Sequence, residues 1–514
     1  MARPTAPGGR WVRPRMTGRE VALLFRPDYW MQKIVAAPEA ARREWRLELI
    51  RARVAGRIVS ETEEGWDTAR KAWNLAATQR PPLVAFPETT HDLVELVAFC
   101  RSHGLRVAPQ GTGHGAAALG AIQDAMLLKP SQMRDVAIDA SRRRARVGAG
   151  ALWREVQSAA AVHGLAGLSG FSPEIGVVGY TLGGGLGWLS RPHGLACNSV
   201  LSADVVTADG RRLYVDREHE PDLFWALRGG GGSFGIVTAL EFALYPVETL
   251  YAGTLFWPQE RAAEILKAWQ AWTAGVPDSV TSVGRLLNVS RGPGIPESLW
   301  GRSAVLVEAA CMTSEGEGME LLRPLRELGP EADTFAMLPS TELGALHMDP
   351  VDPAPVYIDG WLLGDLPPAA IDALLEAAGP GSGSPLLSVE LRHLGGALAD
   401  ARPEHGALAS LDAGFACVTI SLAMNDNGAA LERHAAIVRA ALAPWEAERN
   451  YPNFAERSFN VSDLFSPATC ERLGRIKAQY DPKDLIRSTH PIPTALGPAR
   501  TAQPVLAPEQ PQAW

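Results

Sequence analysis

Cysteine is scarce and scattered. Cys100, Cys197, Cys311, Cys417 and Cys470 form no CxxC pair, which argues against a zinc site and a disulfide framework and fits a reducing, cytoplasmic compartment. No apolar run is long enough to span a bilayer. The basic N-terminal sprinkling (Arg3, Arg10, Arg13, Arg15) leads into no sustained apolar region, so neither a secretory signal nor a membrane partner is expected. A long basic stripe is also missing and the net charge is −8, which argues against nucleic acid. The pattern Gly-x-x-x-x-Gly-Lys-Ser/Thr does not occur, so a P-loop is excluded.

What is present is an ordinary globular balance, 46% hydrophobic and 21% charged over 514 residues, enough for about two to four domains. Fifteen tryptophans either line a roomy ligand cavity or, more plainly, fill cores. Residues 1–65 read as an extension, disordered over its first dozen residues, with a helix around Ala37–Ala55. A helix is expected over 66–79, ending before Pro81-Pro82. Thr90 is a good N-cap for a helix with Leu93, Val94, Val97 and Cys100 on its apolar face, closed by Gly104. Strands follow at Leu105–Ala108, Met126–Leu128, Val136–Ile138 and Ala145–Val147, then a helix at Leu152–His163. Val200–Val206 and Leu213–Val215 flank the turn Asp209-Gly210 as a hairpin, and the Pro221–Leu227 helix leads to a strand at Ile236–Tyr245. From about 250, helices (Glu260–Thr273, Glu317–Leu328, Pro368–Ala378, Ala429–Ala443) alternate with strands (Ala304–Ala310, Leu386–Leu391, Phe415–Ala423). That pattern predicts one antiparallel sheet with helices on one face. Residues 445–495 are polar and punctuated by proline, and 496–514 read as a flexible tail.

Glycine is concentrated where chemistry is expected. Gln110-Gly111-Thr112-Gly113-His114-Gly115 follows a strand, and glycine lets backbone approach a flat or phosphorylated ligand closely. The histidine can serve as ligand, base or nucleophile. A second cluster runs through Gly167, Gly170, Gly176, Gly179, Gly183, Gly184, Gly185 and Gly187. At a cost of about 1 kcal/mol each in a helix, so many glycines indicate backbone shaped for a ligand. Two stretches imitate a dinucleotide fingerprint. Gly230-x-Gly232-x-x-Gly235 lies between a helix and a strand, the reverse of the required order. Gly111-x-Gly113-x-x-Ala116 is followed too soon by the next strand to leave room for a crossover helix.

These glycine regions together resemble the FAD domain of the p-cresol-methylhydroxylase type, and in particular berberine-bridge-enzyme-like oxidoreductases, over roughly 75–250 and 440–495. The family pattern Arg-x-Gly-Gly-His matches Gln110–His114, with Gln110 in place of the arginine and Thr112 in place of a glycine. The family histidine bonds the 8-methyl group of the isoalloxazine, so the resemblance implies a covalent flavin on His114. Ser172 stands where doubly linked members carry a cysteine, so only one link is implied; Cys197 lies outside that register. Ser172-Pro173-Glu174-Ile175-Gly176 through Gly187, Gly232–Val237, Tyr451-Pro452-Asn453 and Tyr480-Asp481-Pro482 supply the remaining matches.

The resemblance implies FAD contacts from Gln110, Gly111, Thr112, Gly113, His114, Gly115, Leu119, Ser172, Gly176, Val177, Gly179, Tyr180, Gly184, Gly235, Ile236, Val237 and Asn453. It implies a catalytic role for Tyr451, as base or as substrate hydrogen-bond partner. A free tyrosine has a pKa of about 10, so a base role requires a nearby cation or donors. The strand Phe415–Ala423 offers Thr419 and Ser421 but no carboxylate partner. Tyr180 and Tyr357 are pocket candidates. Glu390, Arg392 and His393 either reach the pocket or pair at the surface, and Arg191 is a candidate for the pyrophosphate or a carboxylate. His103 and His163 read as helix ends.

The expected architecture is α+β. A two-subdomain FAD-binding domain spans 66–250, a substrate domain with an antiparallel sheet flanked by helices spans 251–444, and 445–495 returns to the FAD domain. The active site is expected where the sheet covers the isoalloxazine. The expected function is an FAD-dependent oxidase of an alcohol or C–H centre in a small organic substrate, with molecular oxygen as acceptor and no metal. The alternatives are a dehydrogenase or isomerase that does not use oxygen, a non-catalytic flavin-binding protein, and a nicotinamide enzyme.

Overall fold

The computed structural model describes residues 46–288, 301, 303–424, 427–454 and 457–494. Two compact units are separated, Met1–Arg53 and Val54–Trp514. In the first, the described part is helical over 46–51; the disorder expected for the first dozen residues lies outside the described residues, as does the tail 496–514.

Among the described residues, the second unit is built on three sheets. The first has strands β1 (Arg57–Ser60), β2 (Leu83–Phe86), β3 (Arg106–Pro109) and β4 (Ala125–Leu128), in the order β1-β2-β4-β3. Its core holds Val59, Val84, Ala108, Leu119 and Leu127. Strands β3 and β4 run parallel. The glycine-rich interval between them, expected to be too short for a crossover helix, does make the parallel connection, with one helical turn at Ala116–Leu119. The Thr90–His103 helix is capped by Thr89, one residue earlier than expected, and ends on Gly104 at φ 68°. The helix expected over 66–79 is only Trp66–Ala69. The chain beyond it turns instead to bond the glycine loop, Trp73 N–H to the Thr112 carbonyl at 2.9 Å.

The second sheet orders β5 (Val136–Asp139), β6 (Arg144–Gly148), β7 (Val200–Val206), β8 (Arg212–Asp216) and β9 (Ile236–Ala243) as β5-β6-β9-β7-β8, all antiparallel. The expected hairpin is β7–β8.

The third sheet is antiparallel, with β10 (Thr249–Pro258), β11 (Val280–Asn288), β12 (Ser303–Cys311), β13 (Ala332–Asp333), β14 (Ala336–Pro339), β15 (Val356–Leu363), β16 (Ser388–His393) and β17 (Phe415–Leu422). Their order is β13-β10-β12-β11-β16-β17-β15, with β14 also on β10. Alternation along the strands divides the faces. Val305, Val307, Val389, Leu391 and Trp361 pack with Trp269, Leu322, Ile371 and Val438 of the helices, as the sequence pattern predicts. Val283, Ala310, Leu362 and Ala416 join the core that contains Trp153, Tyr180 and Phe242. The tryptophans Trp153, Trp188, Trp257, Trp269 and Trp361 are fully buried core residues, the plainer of the two readings. The 445–495 segment carries an unexpected helix, Pro467–Tyr480. Its Lys477 ammonium is buried and bonds the Ser233 carbonyl at 2.9 Å and the Asp481 carboxylate at 2.6 Å, tying the returning segment to the glycine turn before β9.

Candidate flavin site

A cavity of about 300 Å³ opens among the three glycine regions and the returning segment. It is lined by Gln110–Gly115, by Gly176, Gly179, Tyr180 and Gly183, by Gly229–Gly232 with Gly235–Val237, and by Pro452, Asn453 and 487–490. Leu119 lines it too. Thus Gln110, Gly111, Thr112, Gly113, His114, Gly115, Leu119, Gly176, Gly179, Tyr180, Gly235, Ile236, Val237 and Asn453 are brought together. Three expected contacts are not. Val177 is turned into the core. Ser172 is buried with its hydroxyl unpartnered and lines no part of the cavity. Gly184 lies behind the lining at φ 121°, where an added Cβ would approach the Tyr451 ring within 2.8 Å. Among the described residues of 251–444, none is among the lining of this cavity.

Open space and close approach are both evident. A Cβ at Gly111, Gly179, Gly231 or Gly232 would meet no protein atom, so these backbones front the cavity. Gly113, at φ 89°, could not carry one, because it would come within 2.7 Å of the Ala72 Cβ.

His114 is the chemically distinct residue here. Its ring stacks on Trp73 with centroids 4.1 Å apart and planes at 16°. Nδ1 bonds the Thr112 hydroxyl at 2.7 Å, while Nε2 is buried without a partner. Burial lowers its pKa to about 4, so the imidazole is neutral at pH 7. Gln110 accepts from the Gln79 amide at 2.7 Å and leaves its own Nε2 unpartnered.

Tyr451 sits behind Asn453, whose amide donates to the Tyr180 carbonyl at 2.9 Å and to the Tyr451 hydroxyl at 3.4 Å. Burial raises the Tyr451 pKa well above its ordinary value, and Cys197 adds to that. The Gly185 N–H, Asn453 and Arg392 oppose it without prevailing, so the phenol stays protonated. Tyr357 is on β15, opposite Ser421, and is not among the lining residues.

The remaining candidates serve packing. Arg191 is buried and donates to the carbonyls of Val280 (2.6 Å) and Leu394, to His393 (3.0 Å) and to Asp278 (3.2 Å), away from the cavity. Glu390 and Arg392 are buried, not surface-paired: Arg392 donates to Glu390 at 2.7 Å and stacks over Phe171 at 4.0 Å. His347, which sequence reading passed over, lies between Glu308 (2.6 Å) and Glu390 (3.0 Å), with Arg285 3.2 Å from Glu308. The Gly229–Gly232 turn and 487–490 were also missed as lining. Gly232 belongs to the Gly232–Val237 match, but Gly229–Gly231 carry only a dinucleotide look-alike, and the second segment has no local signature at all.

The donor set fits a flavin. Glycine backbone borders the slot, a neutral imidazole carries a free nitrogen, and one cation, Arg487, stands among the lining. Comparison with known proteins agrees. Residues 81–216 match the FAD binding domain model. The chain is similar to (R)-6-hydroxynicotine oxidase of Paenarthrobacter nicotinovorans, 32% identical over 40% of this chain and 45% of the relative. It is 34% identical to glucooligosaccharide oxidase of Sarocladium strictum over 41% of this chain and 44% of the relative. It therefore spans about half the length of these curated relatives. The solved Physcomitrella patens BBE-like 1 shares the fold, with a TM-score of 0.77 and 20% identity over 87% of this chain and 99% of that one.

Fold and site together define an FAD-binding protein, α+β in class, that shares its fold with p-cresol-methylhydroxylase-type structures. Within that class, the chain is a homologue of the FAD-linked oxidoreductase enzymes, built on the berberine-bridge-enzyme-like fold. No helix of the described residues is long and apolar enough to cross a membrane.

Proposed function

We propose that the chain is an FAD-dependent oxidase carrying its flavin on His114 and acting on an alcohol or C–H centre of a small organic substrate. The observation that carries this is the neutral His114 ring with an unpartnered Nε2 among glycines that front the cavity. A neutral imidazole has the lone pair that covalent attachment requires. The flavin, when bound, supplies the two-electron redox chemistry. The chain positions it. Glycine turns at 111–115, 176–183 and 229–235 approach it closely, and Asn453 bridges Tyr180 to Tyr451.

Tyr451 is assigned to the substrate proton. Because burial keeps the phenol protonated, its hydroxyl first acts as a hydrogen-bond partner. It can take the substrate proton only by passing on its own phenolic proton as the substrate loses hydride. Molecular oxygen is the proposed final acceptor. The two named relatives are oxidases of a hydroxynicotine and of glucooligosaccharides, which supports a small hydroxylated substrate class. The reading also keeps the division into 66–250 and 445–495 around the flavin and 251–444 as the substrate domain, with β1 (Arg57–Ser60), which pairs with β2, counted on the flavin side rather than with the 1–65 extension, and a 496–514 tail. Acid precipitation tests it: flavin should pellet with the protein, and flavin left in the supernatant overturns the covalent link. Bleaching of the flavin band by candidate alcohols, followed by oxygen uptake, tests the oxidase assignment.

A further inference from the structure

His490 belongs to the 487–490 segment that lines the cavity. Unlike His114, it has both ring nitrogens engaged by the protein. Nδ1 lies 3.3 Å from the backbone N–H of Phe459, and Nε2 lies 3.0 Å from the Pro452 carbonyl. An amide N–H only donates and a carbonyl only accepts, so Nδ1 is bare and the one proton of the neutral ring is on Nε2. Burial lowers the His490 pKa, opposed by the Pro452 carbonyl, and the ring stays neutral at pH 7. The backbone that presents the ring is anchored on both sides of it. Ser488 shares a 2.7 Å hydrogen bond with the Ser233 hydroxyl, and the Ile492 N–H donates to that same hydroxyl at 3.2 Å.

The Pro452 carbonyl belongs to the peptide unit that leads into Asn453. That unit is planar, so a bond to its carbonyl sets the plane from which the Asn453 side chain departs. The Asn453 amide donates to the Tyr180 carbonyl at 2.9 Å and to the Tyr451 hydroxyl at 3.4 Å. There is no slack opposite it: a Cβ at Gly183 would come within 1.9 Å of Asn453 Oδ1. Resting on the reading of Tyr451 as the substrate's proton partner, we propose that His490 is a positioning residue. By donating from Nε2 to the Pro452 carbonyl while accepting the Phe459 N–H on Nδ1, it clasps Pro452 to Phe459 and aims the Asn453 amide at the Tyr451 hydroxyl. A small error in that aim matters, because a misplacement of about 1 Å can cost about 100-fold in rate.

The test uses the full-length flavoprotein as wild type, His490→Leu, His490→Gln and Tyr451→Phe, each carrying carbon-13 at tyrosine Cζ, whose NMR signal responds to hydrogen bonding of the hydroxyl. The chain has eight tyrosines, so the Tyr451 signal is identified by its loss in Tyr451→Phe. His490→Leu keeps the bulk and loses both bonds. Its Tyr451 signal should move or split while tyrosines remote from Asn453 keep theirs and flavin content is unchanged. His490→Gln retains a donor at the ε position and should return the signal toward wild type. Anaerobic bleaching by the alcohol that reduces wild type fastest should slow by about tenfold at saturation in His490→Leu, with KM little changed. A Tyr451 signal unmoved by His490→Leu, or moved equally by both variants, overturns the clasp and leaves the assignment of Tyr451 standing. Undiminished bleaching in Tyr451→Phe overturns that assignment and leaves the clasp, which the NMR reads without turnover. A crystal structure of the wild-type flavoprotein decides even if neither variant folds: a Pro452 carbonyl turned away from His490 Nε2 overturns the clasp.

Discussion

Two buried polar regions of this molecule solve opposite problems. At the cavity, the buried polar atoms on the glycine loop are neutral and partly unpaired: His114 Nε2 and Gln110 Nε2 have no protein partner, and glycine backbones face open space. On the inner face of the third sheet, Arg285, Glu308, His347, Glu390 and Arg392 are charged, almost wholly buried and bonded to one another. There, burial alone would lower the His347 pKa, but Glu308 and Glu390 raise it to about 9. Glu390 in turn is held well below the usual carboxylate range: burial acts against this, but His347 and Arg392 outweigh it. The lesson is that room and unpaired neutral atoms mark a ligand site. Fully paired charges with no room mark a structural lock.

The sharpest way to break that contrast is Glu390→Gln. It strands Arg392 as a buried cation, leaves His347 with Glu308 alone, and should cost about 3–5 kcal/mol in denaturant unfolding. An unchanged midpoint would remove the lock from the argument. Next in size, Tyr451→Phe should lower kcat/KM by about 100-fold while flavin content is unchanged; equal loss of flavin would make the residue structural.

A pH series sharpens the same comparison. The folded pKa of His347, about 9, lies above its ordinary 6.5, so its contribution is complete below pH 6.5 and is lost as pH rises through 9. Glu390 has a depressed pKa, so its contribution is present above its ordinary 4.5 and lost as pH falls below that. Thermal midpoints should therefore be highest between these limits, and His347→Gln should flatten the alkaline side. The smallest effect belongs to the cavity. His114→Ala should abolish covalent flavin yet change the stability of the flavin-free protein by no more than about 0.5–1 kcal/mol, because it removes one hydrogen bond, to Thr112, and one ring stack, on Trp73, and strands no charge. A drop as large as that of Glu390→Gln would erase the distinction.

Local signals carried far in some places and failed in others. Asp209-Gly210 marked its hairpin, Gly104 its helix end and Pro221–Leu227 its helix, because these depend on φ preference and on periodicity over a few residues. The helix expected over 66–79 failed because bonds to a distant glycine loop outcompeted it. Strands β10, β11 and β15 escaped notice; buried on both faces, they lack clean alternation.

From its residues alone, this chain determined the three glycine turns, the histidine among them and the α+β alternation, since each rests on chain-local conformational preference. Only the tertiary structure decided that 487–490 joins the glycine turns around one cavity, that Glu390 and His347 are locked rather than exposed, and which nitrogen of His114 is left free. Those outcomes depend on which distant groups are brought within hydrogen-bond reach and how much water they lose, and neither quantity is written in local sequence.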